Sequence, residues 1–210
     1  MVRQPSINAQ HRVPLSTERI IESALRIVDG QGLARLTMRR LGDALEVEAM
    51  AIYHHLPRGK EQLLDGLVAH VASAPADTES AASHGDWRGV LRAWAAGYRT
   101  RLLAHAGVLP LVVTRRNPAA LTTTAASLRE VLRRGGVAED TAAVAAHTLL
   151  GYVIGHAALE VRDTKRNSAE GAAGGASGRP PSNREDGADR AVDWDARFTA
   201  GLDLVINGVG

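Results

Sequence analysis

Cysteine is absent from the 210 residues, which excludes a disulfide framework, a thiolate nucleophile and a cysteine-bound zinc site. Long apolar runs are also lacking, since no stretch approaches the roughly 20 apolar residues that cross a bilayer. The first residues, MVRQPSINAQHRVP, do not contain the apolar core of a signal peptide. We therefore expect a soluble, cytoplasmic protein that does not enter a membrane.

Lysine is scarce, because only Lys60 and Lys165 are present and arginine carries nearly all of the positive charge. The net charge of +2 by itself says little about nucleic acid. Residues 1–60 contain nine Lys/Arg against six Asp/Glu, whereas the remainder of the chain is slightly acidic. DNA contact requires a few well-placed cations, so the first 60 residues are the better candidate for it.

Strand-like alternation is missing as well, and apolar residues recur at helical spacing along the chain, which predicts an all-α fold. Enzyme signatures are not found, because no serine lies in a nucleophile elbow and no phosphate-binding loop is present. The histidines do not form a compact ligand set. We predict neither an enzymatic activity nor a metal or other cofactor.

Residues 33–60 have the sequence LARLTMRRLGDALEVEAMAIYHHLPRGK and begin with a helix-start signal. Thr37 can cap a short helix, because its hydroxyl can accept a hydrogen bond from a free amide in the first turn. Apolar side chains then repeat at helical spacing and form a buried stripe: Met38, Leu41 and Leu45. Arg39 and Arg40 lie off this stripe and are expected to point outward.

A tight connection at residues 45–47 separates this helix from a second short helix, residues 49–55. Pro57 ends the second helix, because proline cannot donate the next hydrogen bond and disfavours helix in the residue before it. Lys60 opens a third helix, where its side chain and the free backbone amides can face a phosphate. Together these segments predict a helix-turn-helix unit that binds DNA.

This stretch is similar to the TetR family of bacterial repressors. The resemblance is carried by Leu36-Thr37, Arg39, Leu41, Val47, Ile52-Tyr53-His54-His55-Leu56, Lys60 and Leu63. Glu46 departs from the family pattern, which usually has glycine there, so we expect either backbone strain or a slightly changed turn, and an extra carboxylate near DNA. The resemblance implies double-stranded operator DNA as a partner. The residues it implies for DNA contact are Thr37, Arg39, Ala49, Met50, Tyr53, His54, His55 and Lys60.

Each of these side chains has its own chemistry toward DNA. Arg39 can form two parallel hydrogen bonds with guanine, although a solvated surface arginine would give the same sequence. Ala49 and Met50 can only touch thymine methyl groups or exclude other bases, and the Tyr53 hydroxyl can donate to a phosphate. The two adjacent histidines face different directions on a helix, so they are not both expected to contact DNA.

Helices are also predicted on both sides of this motif. The first begins at Ser16 or Thr17 and ends near Gly30, and the helix opened by Lys60 ends near Ala72. Helices in the second half are expected at residues 87–102, from a cap at Asn117 to Gly135, from a cap at Asp140 to about Val161, and at 194–206. The predicted domains are an arm at 1–15, the helix-turn-helix domain at 16–74 and a second helical domain at 75–210, with a flexible insert at about 163–190.

The second half resembles the tetracycline-repressor type, which implies a small-molecule effector held among its helices. The candidate lining residues are Trp94, Tyr98, Leu102, His105, Ser127, Thr148 and Tyr152. Trp94 and Tyr98, one turn apart, suit a flat and largely apolar ligand, although an ordinary helical core would have the same pattern. Tetracycline itself is disfavoured. In the resembled repressors, polar side chains that bind the drug or its magnesium lie near the positions of Trp94, Ala76 and Val112-Val113.

A homodimer is expected from the last two helices. The long helix has a ridge of small residues, and the terminal helix has an apolar face; the candidate interface residues are Gly151, Gly155, Ala158, Phe198, Leu202, Val205 and Ile206. A symmetric dimer predicts a near-palindromic operator. The predicted function is a repressor released from DNA by an effector. The alternative is a ligand-independent regulator whose second domain only dimerises.

Overall fold

A computed structural model describes residues 14–76, 85–115, 118–174 and 192–209. All regular secondary structure in these ranges is α-helix or 3-10 helix. The all-α prediction is confirmed. The helices are α1 Thr17–Gln31, α2 Met38–Leu45, α3 Ala49–His55, α4 Lys60–Ala72, α5 Trp87–Ala104, α6 Leu109–Thr114, α7 Pro118–Arg134, α8 Glu139–Gly174 and α9 Trp194–Asn207. The predicted cap Asn117 lies outside the described residues.

The first helix starts and buries its apolar face as predicted. The Ser16 hydroxyl accepts a 3.2 Å hydrogen bond from the Arg19 amide, and α1 ends where Gly32 adopts a φ of 84°. The buried side chains of α1 are Ile20, Ile21, Ala24, Leu25, Ile27 and Val28. A β-carbon at Gly66 of α4 would collide with Ile21, so α4 packs closely on α1. This close packing builds the core beneath the helix-turn-helix.

The chain divides into two compact units, and the division falls within α4, after Leu67. The sequence-based boundary lies later, in the connection after this helix. That domain assignment stays a prediction.

The second unit is built around α8, which packs against α5, α7 and α9. Leu91, Leu128 and Val153 are among the fully buried side chains of this core. Helix α8 begins at Glu139, one residue before the predicted cap, and continues to Gly174, well past the predicted end. The first part of the predicted flexible insert is therefore helical, and residues 175–190 lie outside the described part of the chain.

Polar contacts explain why α8 continues where apolar residues become rare. Asp163 pairs with Arg166 one turn later, and its carboxylate accepts a hydrogen bond from the Trp194 indole at 3.3 Å. The Thr164 hydroxyl donates to the Glu160 carbonyl at 3.0 Å. These contacts and the good helix formers alanine, glutamate and lysine extend the helix without a buried apolar face.

By length and composition alone, residues Glu139–Glu170 of α8 could cross a membrane, with a mean hydropathy of 1.4 over the most apolar window. That window is 44% buried inside the protein. The apolar side chains serve the core instead, since Leu149, Val153 and Ala157 are buried among the neighbouring helices. The hydropathy of α8 is thus accounted for by its central place in the second unit.

Candidate DNA-binding and effector sites

The N-terminal end of α2 is capped as predicted. The Thr37 hydroxyl accepts a 3.1 Å hydrogen bond from the Arg40 amide, which leaves other first-turn amides available to an anion. Arg39 is exposed at this end of the helix, and Arg40 is half-buried. The cap therefore fixes where α2 begins, and with it the positions of Arg39 and Arg40 on the helix.

A cleft of about 650 Å³ surrounds this end of α2. Its lining residues are Ala34, Arg35, Thr37, Arg39, Arg40, Asp43 and Ala44. The lining contains three arginines and the positive end of a helix but only one carboxylate, so the cleft suits a phosphate. Sequence reasoning missed Arg35 and Arg40 as candidates, although both lie within two or three residues of the predicted cap.

The turn between α2 and α3 is tight. Glu46 adopts φ 55° and ψ 42°, the left-handed conformation that glycine tolerates best, and its amide donates to the Asp43 carbonyl. The Val47 amide donates to the Gly42 carbonyl at 3.0 Å, and a β-carbon at Gly42 would lie 2.8 Å from the Val47 oxygen. A left-handed φ at a non-glycine residue carries strain, which is one of the two outcomes expected at Glu46.

Helix α3 has one buried and one outward face. Ile52 is fully buried and anchors the helix, as does Leu56 just after it. Met50 is 68% exposed and Tyr53 is 39% exposed, and the exposed His54 follows at the spacing that places all three on one face. The candidate residues Ala49 and His55 are half-buried, so the two histidines do differ in their surroundings.

Gly59 positions Tyr53, which sequence reasoning did not foresee. Gly59 has a φ of 57°, and a β-carbon on it would lie 2.8 Å from Cε1 of Tyr53. The phenol ring therefore lies against the backbone at the start of α4. Lys60 is exposed as the first residue of that helix. Tyr53 and Lys60 are thus neighbouring donors at one place on the surface.

Two predicted effector residues contact the chain that follows α4. The Trp94 indole donates a 2.6 Å hydrogen bond to the Ala74 carbonyl, and the Tyr98 hydroxyl donates to the Ala72 carbonyl at 3.2 Å. The two ring centroids are 5.1 Å apart. Burial raises the pKa of Tyr98 above its ordinary value, so its hydroxyl stays protonated. Leu102 is fully buried on the same helix.

Two side chains of α7 hold the same segment. The Ser127 hydroxyl accepts a 2.8 Å hydrogen bond from the Ala76 amide. The buried Thr124 hydroxyl accepts from the Ala74 amide at 3.0 Å and lies 3.3 Å from the Ala72 carbonyl. We call the set of Trp94, Tyr98, Thr124 and Ser127 the clamp. Thr124 was missed because its partners lie about fifty residues away in the chain.

The other predicted effector residues lie elsewhere. The Thr148 hydroxyl donates to Val144 within its own helix, and Thr148 borders a surface cleft shared with Val205. The Tyr152 hydroxyl donates to the Phe198 carbonyl at 2.8 Å, where Gly201 has no side chain to obstruct it. His105 is half-buried just after α5. The Tyr152 hydroxyl thus holds α9, and its contact with a ligand stays a prediction.

The predicted dimer residues also differ from one another in exposure. Gly151 and Gly155 are exposed on α8, and Ala158 and Val205 are half-buried. Three side chains of α9 face inward and are buried within the same chain: Phe198, Leu202 and Ile206. Phe198 stacks on Tyr152 of α8 at 5.8 Å, and contact of these three side chains with a partner stays a prediction. The exposed large apolar side chains on these helices are Val144, Leu159 and Leu204, the last of them 78% exposed.

A buried histidine lies between α8 and α9. His156 is surrounded by the rings of Tyr152, Trp194 and Phe198, with centroids 5.1–5.8 Å away, and neither ring nitrogen has a hydrogen-bond partner. Burial lowers the pKa of His156, and the nearby Arg99 guanidinium lowers it further. The neutral imidazole is therefore the form that fits this cluster.

Arg99 of α5 links α8 and α9 next to that histidine. Its guanidinium donates two hydrogen bonds of 2.9 Å to Glu160 and one of 2.6 Å to Asp195. It also lies 4.9 Å from the centroid of the Phe198 ring. A paired arginine of this kind orients both helices, because the bidentate geometry fixes direction as well as distance.

Two family models match the chain. The model described as "Bacterial regulatory proteins, tetR family" covers residues 20–67, and the model described as "Tetracyclin repressor-like, C-terminal domain" covers residues 79–210. The class A tetracycline repressor of Escherichia coli transposon 1721 is 30% identical over 93% of this chain and 90% of its own length. With other tetracycline repressor classes, the matched region spans slightly less than half the length of the relative.

Solved structures with the same fold include two with a bound partner. The chain is similar to BioQ with its natural double-stranded DNA operator, with 26% identity, a TM-score of 0.64 and coverage of 93% of this chain and 98% of that one. It is also similar to Streptomyces coelicolor ActR in complex with actinorhodin, with 25% identity, a TM-score of 0.67 and coverage of 94% and 97%.

Proposed function

Because the chain belongs to the TetR family of bacterial transcription regulators, we propose that it is a repressor that binds a near-palindromic operator as a homodimer. A small, largely apolar effector other than tetracycline releases it, and it acts in the cytoplasm. The observation that carries the DNA-binding part is the outward face of α3, with Met50, Tyr53 and His54 exposed while Ile52 anchors the helix.

Some of the proposed DNA contacts position the protein on the duplex, and others read the base sequence. Tyr53 and Lys60 bind phosphates, as does the arginine cleft at the start of α2, and these contacts set the register. Arg39 reaches a base edge, and Met50 touches thymine methyl groups. The left-handed Glu46 turn holds α2 and α3 at the angle a helix-turn-helix requires, at the cost of a carboxylate near the DNA. The operator-bound BioQ structure supports this assignment by its similarity to the chain.

Effector response is proposed to act through α4. This helix begins with Lys60, and the clamp holds the segment that follows its end. A ligand that binds more tightly to the DNA-free form moves the equilibrium toward it, and roughly 10⁴-fold tighter binding gives a nearly complete switch. The structure of ActR in complex with actinorhodin supports a small-molecule effector by its similarity to the chain.

The homodimer is proposed to form on α8 and α9. The exposed glycines at 151 and 155 allow a second helix to approach closely, and the exposed Val144 and Leu204 offer apolar surface to it. An isologous interface of this kind places the two recognition helices about 34–36 Å apart, which is one turn of DNA.

One observation favours the ligand-independent alternative. The polar atoms of Trp94 and Tyr98 are already bonded to backbone carbonyls, as they would be in an ordinary helical core. Under this alternative the second unit only dimerises. Operator affinity would then stay unchanged across a chemically broad panel of small molecules.

The test is a selection of bound sequences from random duplex DNA with the full-length protein. We expect a near-palindrome whose half-sites are about one helical turn apart. Arg39→Ala is expected to weaken binding to the selected duplex. The matched control is Arg134→Ala, an exposed arginine of α7 paired with Glu130, which is expected to bind normally. A folded dimer that enriches no sequence would overturn the proposal.

A further inference from the structure

A groove of about 400 Å³ lies in the second unit between α6 and the C-terminal half of α8. Its lining residues are Leu109, Pro110, Val113, Thr114, Ala158, Val161, Arg162 and Lys165. Five of these eight side chains are apolar, and Val113 is 58% exposed on the surface of the groove. An open apolar surface of this kind is typical of a place where a ligand or another molecule binds.

Two cations lie at one end of this groove. Arg162 and Lys165 are exposed and one turn apart on α8. Among the described residues, neither of them pairs with a carboxylate. The acidic neighbours are engaged elsewhere, since Asp163 binds Arg166 and Trp194, and Glu160 binds Arg99. Within the described part of the chain, the groove therefore combines an apolar floor with a positive end that no carboxylate neutralises.

We propose that this groove binds an anionic amphiphile, a small molecule with an apolar chain or ring system and one carboxylate or sulfonate. The apolar part covers Val113, Val161 and Pro110, and the acid group accepts charge-assisted hydrogen bonds from Arg162 and Lys165. The volume suits a small organic molecule, because binding pockets of about 300–1,000 Å³ are usual for such ligands. A neutral or cationic amphiphile would leave the two cations unpaired.

A second copy of the chain fits the groove less well. Ala158 lines the groove and belongs to the predicted dimer face, so the two surfaces adjoin. A two-fold interface that used this groove would include the groove of both subunits, so it would bury two copies of Arg162 and Lys165. None of the groove residues is acidic, so burial of these four cations opposes that arrangement, whereas an anionic ligand neutralises them.

The proposal deepens the proposed function by naming a ligand class and a site distinct from Trp94 and Tyr98. It rests on the proposed function only where it connects ligand binding with release from DNA. Binding to the groove is therefore measured without DNA, and operator affinity is measured separately. The two ideas can then fail independently.

The experiment uses the full-length protein and titrates it with decanoate by calorimetry, with decanol and decyltrimethylammonium as head-group controls. We expect decanoate to bind best. Its affinity is expected to fall about tenfold or more in the double variant Arg162→Ala/Lys165→Ala, since a charge-assisted contact is lost. Decanol affinity is expected to be unchanged by that double variant. The matched control is Arg166→Ala, on the same helix but paired with Asp163, which is expected to bind decanoate normally.

A second variant tests the apolar floor. Val113→Asp places a carboxylate in the groove at an exposed position, so it is expected to fold and to bind decanoate about tenfold or more weakly. Unchanged decanoate affinity in both variants, or no binding by the folded protein, would overturn the proposal. Loss of dimer in Val113→Asp, measured by sedimentation, together with no decanoate binding to the parent dimer, would identify a second copy as the occupant. Decanoate binding without any change in operator affinity would keep the site and remove its role in DNA release.

Discussion

The indole nitrogen of Trp94 lies 2.6 Å from the carbonyl oxygen of Ala74, two residues past the end of α4. This bond and the three other clamp residues give hydrogen-bond partners to backbone groups of residues 72–76, which would otherwise be buried without a partner. The clamp thereby fixes the path of the chain as it leaves α4. Since α4 also carries Lys60, any change in the clamp alters the end of a helix that contains a proposed DNA contact.

Thr124→Val tests the clamp. Valine has nearly the same shape but cannot bond the Ala74 amide, so the variant is expected to lower the free energy of unfolding by about 1–3 kcal/mol. Denaturant unfolding measures this loss. Amide exchange at Ala74 is expected to become faster in the same variant. The neighbouring Thr123→Val is the control, because the exposed Thr123 hydroxyl bonds only the Ala119 carbonyl of its own helix. Equal effects of the two substitutions would contradict the role of Thr124.

Glu46→Gly tests the strained turn. Glycine adopts the left-handed conformation without steric penalty, so the free energy of unfolding is expected to rise by up to about 1 kcal/mol. Operator binding is also expected to tighten, because a carboxylate is removed near the phosphates. Glu46→Gln separates the two effects, since it removes the charge but keeps the side chain. It is expected to tighten DNA binding without adding stability, and a stability gain equal to that of Glu46→Gly would argue against backbone strain.

Local signals in the sequence predicted the helix-turn-helix well. The Thr37 cap, the buried Leu41 and the end of α3 before Pro57 each depend on residues only a few positions apart, which a sequence displays directly. Strain or a changed turn at Glu46 was expected for a different reason, the resemblance to a family with glycine in the turn. These features required no knowledge of the second unit.

Features that depend on distant partners could not be predicted. Helical period shows that Phe198 lies on a buried face, but not that α8 of the same chain covers it. Thr124 bonds a residue about fifty positions earlier, and nothing near it in the sequence indicates this. The continuation of α8 past Val161 was missed because polar contacts, such as that of Asp163 with Trp194, replace the apolar pattern on which the prediction depended.

Gly59→Ala tests the placement of Tyr53. The new β-carbon would lie 2.8 Å from the tyrosine ring at a φ of 57°, so we expect lower stability by about 1–2 kcal/mol and weaker operator binding. Fluorescence anisotropy with a labelled operator duplex measures the affinity. Tyr53→Phe keeps the ring and removes only the hydroxyl, so it is expected to weaken DNA binding with little change in stability.

Gly97→Ala is the matched control for that substitution. It lies within α5, and a β-carbon there meets no atom within 4 Å. Alanine is the better helix former, so this variant is expected to gain about 0.5–1 kcal/mol of stability and to bind DNA normally. If Gly59→Ala left both stability and operator affinity unchanged, the contact between Gly59 and Tyr53 would have no part in DNA binding.

His156 makes the packing of α9 on α8 sensitive to acid. Burial is the largest cause that lowers its pKa, Arg99 and Arg197 add to it, and Glu160 and Asp195 oppose it. The unfolded chain takes up a proton near the ordinary histidine value of about 6.5, whereas the folded chain resists protonation until lower pH. The free energy of unfolding is therefore expected to fall as the pH drops below that value.

Urea unfolding at about pH 7.5 and about pH 5.5 measures the loss, which is expected to be smaller in His156→Leu than in the parent protein. His54→Gln changes an exposed histidine of α3 and is expected to keep the parent's pH dependence, so an equal loss in all three proteins would assign the acid sensitivity to other groups.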